Sequence, residues 1–302
     1  MNVNPSDSIG SPKHPLSELA PERSPQQTNN EQPLLLIAAD GAGVRPSLHE
    51  LWRYRELLYF LTLRDIKLRY KQTLLGAAWA IIQPLCAMLL FTLVFGRLAR
   101  LPSDNIPYPL FAYAGLVPWT FFSNAITNAG NSLVGSASLV TKVYFPRVII
   151  PAAPVLAGLV DLAIALLLLV PLLFYYQITI TWNLLFLPLF ICLAALLAFG
   201  VGMLLAALNV KYRDVRYALP FLVQLWLFAS PVIYPISLMP AKWKWIFTLN
   251  PMTGIIHGVR SSLFARPFDL TLIGAAVVVT LVIVGFATYF FQRVEDDFAD
   301  II

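Results

Sequence analysis

Residues 149–175 read IIPAAPVLAGLVDLAIALLLLVPLLFY, apolar apart from Asp161 near the middle. A bilayer core of about 30 Å takes about 20 apolar residues to cross as helix, so this stretch is long enough to span. Working outward, comparable runs cover 74–95 and 108–130 before it, and 184–208, 217–238 and 270–291 after it. Hydrophobic residues make up 58% of the chain, charged residues 12%, and the mean hydropathy is +0.72. A soluble chain of 302 residues cannot hide that much apolar surface. The expected fold is all-α: a polytopic membrane protein with six transmembrane helices, since helices satisfy their own backbone groups in lipid.

Positive charge sets the orientation. Arg53, Arg55, Arg64, Lys67, Arg69 and Lys71 precede the first span. With that flank cytosolic, six spans return the C-terminus to the cytosol, and Lys142, Arg147, Lys211, Arg213, Arg216 and Arg293 also fall inside. Arg97, Arg100, Lys242, Lys244, Arg260 and Arg266 fall outside, the weaker side expected from the positive-inside bias. The net charge of +5 and pI of about 9.2 therefore belong to membrane flanks rather than to nucleic-acid binding.

Residues 1–47 are expected to be a disordered or extended cytosolic leader. The first 32, rich in Pro, Ser, Gln and Asn, have no apolar h-region. Residues 48–73 predict an amphipathic helix lying along the membrane surface. Arg53, Glu56, Arg64, Lys67 and Lys71 fall on one polar stripe, and Tyr59, Leu63, Ile66 and Tyr70 form an apolar row. Asp65 and Arg69 stand four residues apart and are expected to pair. Periodicity leaves open whether this helix anchors the first span or acts as a gate or docking surface.

Two loops carry structure of their own. Residues 131–147 have capping residues, helical spacing of Leu133, Leu139 and Val143, and a stop at Pro146, which predicts a short amphipathic cytosolic helix. Residues 236–268 are too apolar for an aqueous loop, and Asn250-Pro251 marks a turn between two helical pieces. The expectation is a helical hairpin dipping into the membrane from outside, at the outer end of a translocation path.

The absences narrow the function. No G-x-x-x-x-G-K-[ST] phosphate loop, G-x-S-x-G or H-E-x-x-H occurs. His14, His49 and His257 are isolated, and Cys86 and Cys192 fall inside spans as free core thiols, so no metal site is expected. Carboxylates in the spans are nearly confined to Asp161, which argues against ion-coupled transport. A charge there costs about 3 kcal/mol unless paired or hydrated, and spacing names no partner. The chain reads as a pathway that needs an external energy source.

Four blocks in order carry a resemblance. They are Leu63-Arg-Asp-Ile-Lys-Leu-Arg-Tyr-Lys-Gln-Thr73 with Leu75-Gly76, Trp79 and Gln83-Pro84; Gly115-Leu-Val-Pro-Trp-Thr-Phe-Phe-Ser123; Leu139-Val-Thr-Lys-Val-Tyr-Phe-Pro-Arg147; and Tyr212-Arg-Asp-Val215 followed by Ser230-Pro231, Tyr234-Pro235, Asn250-Pro-Met252 and Arg260. Together, from about Leu48 to Arg293, the chain resembles the permease subunits of type-2 ABC exporters of cell-surface polysaccharide, which move O-antigen, capsule or teichoic acid on a lipid carrier. The resemblance implies a homodimer in the bacterial inner membrane, multi-pass with both termini cytosolic, within a transmembrane domain spanning 74–302. It implies two separate ATP-binding subunits, which bind ATP and Mg, leaving this chain without a cofactor or catalytic residues. It makes the 48–73 helix a gate, with Arg64, Asp65, Lys67, Arg69, Tyr70 and Lys71. It makes 131–147 the coupling helix, with Lys142, Tyr144, Phe145, Pro146 and Arg147.

Sugar rings present apolar C–H faces that aromatic side chains match. Tyr108, Trp119, Phe121, Phe122, Trp226, Tyr234 and Phe264 are the candidates for the substrate path; the competing reading is an interfacial aromatic belt. Two rival functions are a type-2 permease for drugs or small lipids, and a membrane transferase acting on lipid-linked sugars.

Overall fold

The computed structural model describes residues 52–71, 78–143, 145–295 and 298, all within the unit Gly43–Ile302. The expected leader at 1–47 lies outside the described residues. Among the described residues the chain is helical, with no strand. The helices are α1 (Arg55–Tyr70), α2 (Trp79–Phe91, continuing in wider π-helical turns over Thr92–Leu98), α3 (Tyr108–Gly135), α4 (Ala137–Lys142), α5 (Ile149–Tyr175), α6 (Leu187–Lys211, entered through a 3₁₀ turn at Trp182–Phe186), α7 (Val215–Phe228), α8 (Lys244–Leu249), α9 (Pro251–Leu263) and α10 (Leu270–Glu295).

Proline marks several starts. Pro109, Pro188 and Pro251 sit in the first turns of α3, α6 and α9, where a missing N–H breaks no intrahelical bond. Pro84, Pro118, Pro154, Pro171 and Pro220 lie inside helices, a pattern tolerated where neighbouring helices shield the freed carbonyls.

α3 is the central helix, packed on α5 and α6, while α6 packs on α10. Gly202 of α6 lets it approach α3 closely: a Cβ there would lie 2.6 Å from the Ala129 Cβ. The buried Asn209 amide of α6 donates to the Gly130 carbonyl of α3 at 2.9 Å and to Asn131 Oδ1 at 3.2 Å. Two apolar clusters mark the two ends of the bundle. One gathers Leu61 of α1, Leu133, Val140 of α4, Ile149, Val210 and Phe291. The other runs through the body to Tyr108, Leu173, Phe190, Ile255 and Ala276. The helices therefore alternate: α3, α6 and α10 run from the α9 end to the α1 end, and α5 runs back.

By length and apolarity, four described helical segments can cross a membrane: Trp79–Leu98, Ile149–Tyr175, Trp182–Lys211 and Leu270–Glu295. Leu167, Phe174, Leu189, Val282 and Phe286 point outward from them, a surface for lipid rather than water. α3 is long enough but too polar to join that set, because Thr120, Asn124 and Asn128 interrupt its apolar run, on the side of the helix its neighbours leave open. The expected span at 217–238 is corrected. Its helix ends at Phe228, and the chain turns through Ser230-Pro231, where proline cannot donate to a helical ladder. The 14 residues of α7 rise about 21 Å, short of the hydrocarbon core. Cys86 and Cys192 are also corrected: both are exposed on the outer surface of the bundle.

Candidate functional site

α1 docks on α5 by a face that the apolar row shares only through Tyr70. Tyr54, Leu57, Leu58 and Leu61 pack into the end cluster, whereas Tyr59 is exposed. The docking face continues through Asp65 and Arg69, which places those charged residues toward protein.

The expected Asp65–Arg69 pair does not form. Asp65 accepts from its neighbour Arg64, at 3.1 Å from Nε and 3.0 Å from the terminal nitrogen. Arg69 instead donates to Asp161 Oδ2, and the Tyr70 hydroxyl donates to Asp161 Oδ1. The carboxylate in the middle of α5 thus has a cation and a phenol as partners, both delivered by the last turn of α1. A within-helix pair would have met no such desolvated charge, so the tertiary pairing wins. Burial, with the Asp161 hydrogen bond and charge adding to it, pushes the Tyr70 phenol up to about 12, so it remains a donor.

Beside this triad lies a cavity of about 280 Å³. Its polar wall comprises Arg69, Tyr70, Asp161, Gln83, Thr120, Asn124 and Asn128; Trp79, Phe121 and Leu162 supply apolar faces. Thr120, Asn124 and Asn128 recur every four residues on α3, beside a second polar row at Ser123, Thr127 and Asn131, and Gly158 of α5 faces Phe121 without a side chain between. Sequence reasoning did not single out Asn124, Asn128 or Thr120. The four-residue spacing was the available signal. Amide, hydroxyl and carboxylate groups against two aromatic faces suit a hydroxyl-rich ligand. Among the described residues no cluster of His, Cys, Asp and Glu can hold a metal ion.

Arg64, Lys67 and Lys71 stay on the exposed side of α1, away from the cavity's inner wall. The predicted 131–147 helix is two pieces. α3 continues to Gly135, the chain breaks at Ser136, α4 ends at Lys142, and Val143 is extended. Gly135, a poor helix residue, stands at the break. Val134, Ser138, Thr141, Lys142 and Val143 are exposed, whereas Phe145 is buried in the end cluster. Tyr144 lies outside the described residues. Arg147 turns inward: its backbone N–H donates to Glu295 Oε1 at 3.1 Å, its guanidinium donates to the Glu295 carbonyl and lies over the Phe298 ring. The segment after α4 is thereby tied to the C-terminal end of α10.

The aromatic candidates divide. Phe121 lines the cavity. Tyr108 donates to the Ile233 carbonyl at 2.8 Å, and Tyr234 to the Phe228 carbonyl at 2.7 Å, so both pin backbone at the α9 end. Trp119, Phe122 and Trp226 meet in series, tilted and then edge to face, with Trp226 Nε1 donating to Asn250 Oδ1 at 3.1 Å. Phe264 is half-buried just past α9. Asn250 also caps α9 by accepting from the Met252 N–H, and its amide donates to Ala229 and Ser230. The Asn250-Pro251 junction therefore starts α9 and ties it to the end of α7.

Residues 56–264 match the family model described as ABC-2 type transporter. The chain is 30% identical over 257 residues to the O-antigen export system permease protein RfbA of Myxococcus xanthus, covering 84% of this chain and 98% of that protein. An RfbA of Klebsiella pneumoniae is 26% identical over 251 residues, covering 82% and 95% respectively. The polysialic acid transport protein KpsM of Escherichia coli is 26% identical over 244 residues, covering 76% and 90%.

Proposed function

Since the chain belongs to the ABC-2 type transporter family, we propose that it is the permease subunit of an ATP-driven exporter of lipid-linked polysaccharide. The observation that carries this reading is the near full-length match to permeases named for O-antigen export and polysialic acid transport. The protein acts as a homodimer in the bacterial inner membrane and recruits two copies of a separate ATP-binding subunit, which supply the ATP and Mg chemistry. Polymer passes from the cytosol to the outer face.

The end holding α1 and α4 is cytosolic in this reading, because the basic residues of both flanks collect there. α1 is the gate: its exposed Arg64, Lys67 and Lys71 meet phosphates of headgroups or of a pyrophosphate-linked carrier. Its inner face, through Arg69 and Tyr70, closes against the cavity. α4 and Val143 receive the ATPase, and the Arg147–Glu295 contact passes the motion to α10. At the other end, α8 and α9 complete a membrane layer that α7 is too short to cross, a re-entrant hairpin at the exit.

The test is twofold. The tagged protein should co-purify with a chain bearing a phosphate loop. Cells lacking it should hold lipid-linked polymer inside and lose it from the surface. Unchanged surface polymer in the deletion strain overturns the reading.

A further inference from the structure

At the α9 end, remote from the α1 cavity, a smaller pocket of about 60 Å³ lies under the outer loops. Thr253, His257 and Arg260 line it from α9, at successive turns of one face. Three of their atoms, Thr253 Oγ1, His257 Nδ1 and Arg260 Nε, are buried and have no hydrogen-bond partner among the described residues. Buried polar atoms are almost always paired, so three on one wall point to an occupant.

Arg260 has no ion-pair partner among the described residues, and Asp104 acts on its charge only through space. The fully buried Arg260 donates to the carbonyls of Pro231 at 2.6 Å, Val232 at 2.7 Å and Phe111 at 3.1 Å, and lies over the Phe111 ring. Gly115 leaves it room, since a Cβ there would stand 2.5 Å from its guanidinium. Among the described residues no carboxylate forms a direct ion pair with it. Asp104 at the pocket's rim is engaged by Arg266 at 3.6 Å and by the Ser237 hydroxyl at 2.8 Å. Burial pushes the Arg260 guanidinium down only to about 9, so at neutral pH it carries its charge into the pocket. Arg266 adds a second cation at the rim.

We propose that this pocket binds a small oxyanion group, held by Arg260 Nε–H, the Thr253 hydroxyl and the His257 Nδ1–H tautomer. The cavity is too small for a sugar ring but holds a phosphate- or carboxylate-sized group. Such a group adds to the counter-charge of Asp104, which is shared with Arg266 and Ser237. It can arrive as a free ion or at the end of a larger molecule. The inference stands independently of the transport reading.

The experiment measures thermal unfolding of the full chain in maltoside micelles, with inorganic phosphate titrated against chloride at matched ionic strength. A saturable rise in Tm of about 3 °C is expected for the natural protein. Thr253→Val and His257→Phe should abolish it. Thr253→Val should also be no less stable than the parent without phosphate, because its hydroxyl has no protein partner to lose. The gate variant Arg64→Glu/Lys67→Glu should keep the full rise. Glycerol 3-phosphate stabilising more than phosphate assigns a borne group, and the reverse assigns a free ion; either supports the site. No rise above chloride, an equal rise in the Thr253 and His257 variants, or loss of the rise in the gate variant overturns it.

Discussion

Arg69 and Asp161 are 92 residues apart in the chain, yet the guanidinium of one donates to the carboxylate of the other. The contact ties the last turn of α1 to the middle of α5 and forms one wall of the cavity there. With both side chains about a quarter exposed, the pair lies between a surface ion pair and a buried one.

Breaking it with Arg69→Ala should destabilise the protein by on the order of 1–3 kcal/mol, because Asp161 is left without its cation. Asp161→Asn should cost less, since an amide still accepts from Tyr70. The exchanged pair Arg69→Asp/Asp161→Arg should regain part of the loss. Thermal unfolding across the cycle checks this, and strictly additive effects would show that the two residues do not interact.

The cavity wall on α3 is a separate target. Replacing Asn124 and Asn128 by Leu should leave the fold intact and, in a membrane helix, not lower its stability. Export should fall at least tenfold if these amides meet the passing polymer. Surface polymer, measured against membrane level of the protein, is the readout; undiminished export would remove the cavity from the path.

For coupling, burial redirects the choice of residues. Phe145→Ala removes a core side chain and should destabilise by about 3–5 kcal/mol, so it reports on folding. Substitutions at the exposed Ser138, Thr141 and Val143 should instead spare stability. Changing these three to Asp should weaken ATPase association or separate ATP hydrolysis from export. Normal export with normal association would place the docking surface elsewhere.

Charge reversal at Arg64 and Lys67 addresses the gate. Both side chains are exposed, and neither is required by the docked face of α1. Export should decline more steeply than expression. An equal decline in the two would reduce the helix to an anchor.

The outer hairpin is tested by cysteine scanning in a Cys86→Ser/Cys192→Ser background. Cysteines at Lys242 and Ala265, which are exposed, should react with an impermeant thiol reagent added outside. Cysteines at Ile255 and Ile256, buried in the core, should not. Reaction of Lys242 and Ala265 positions only from the cytosolic side would invert the topology.

Much of the fold was legible in the residues because hydrocarbon thickness imposes length and apolarity locally. The runs at 149–175 and 270–291 became α5 and α10 nearly as read, and Asn250-Pro251 became a helix junction because both residues act on their own backbone. α7 was overestimated, since apolarity continues past Phe228 while the helix does not. The docking face of α1 was not legible, because periodicity shows the most apolar side, whereas the observed face combines Leu61 with Asp65 and Arg69.

What only the tertiary structure decided is how residues distant in sequence pair. Sequence shows that Asp161 is an expensive charge in a span; it cannot show which of many basic residues answers it, because helix packing, not spacing, sets that distance. The same holds for Arg260. Its type was visible, but its three carbonyl partners and the unpaired atoms beside it exist only once α9 is seated against α3 and the turn after α7. Local chemistry determined where this chain enters lipid, and packing determined where its polar groups meet.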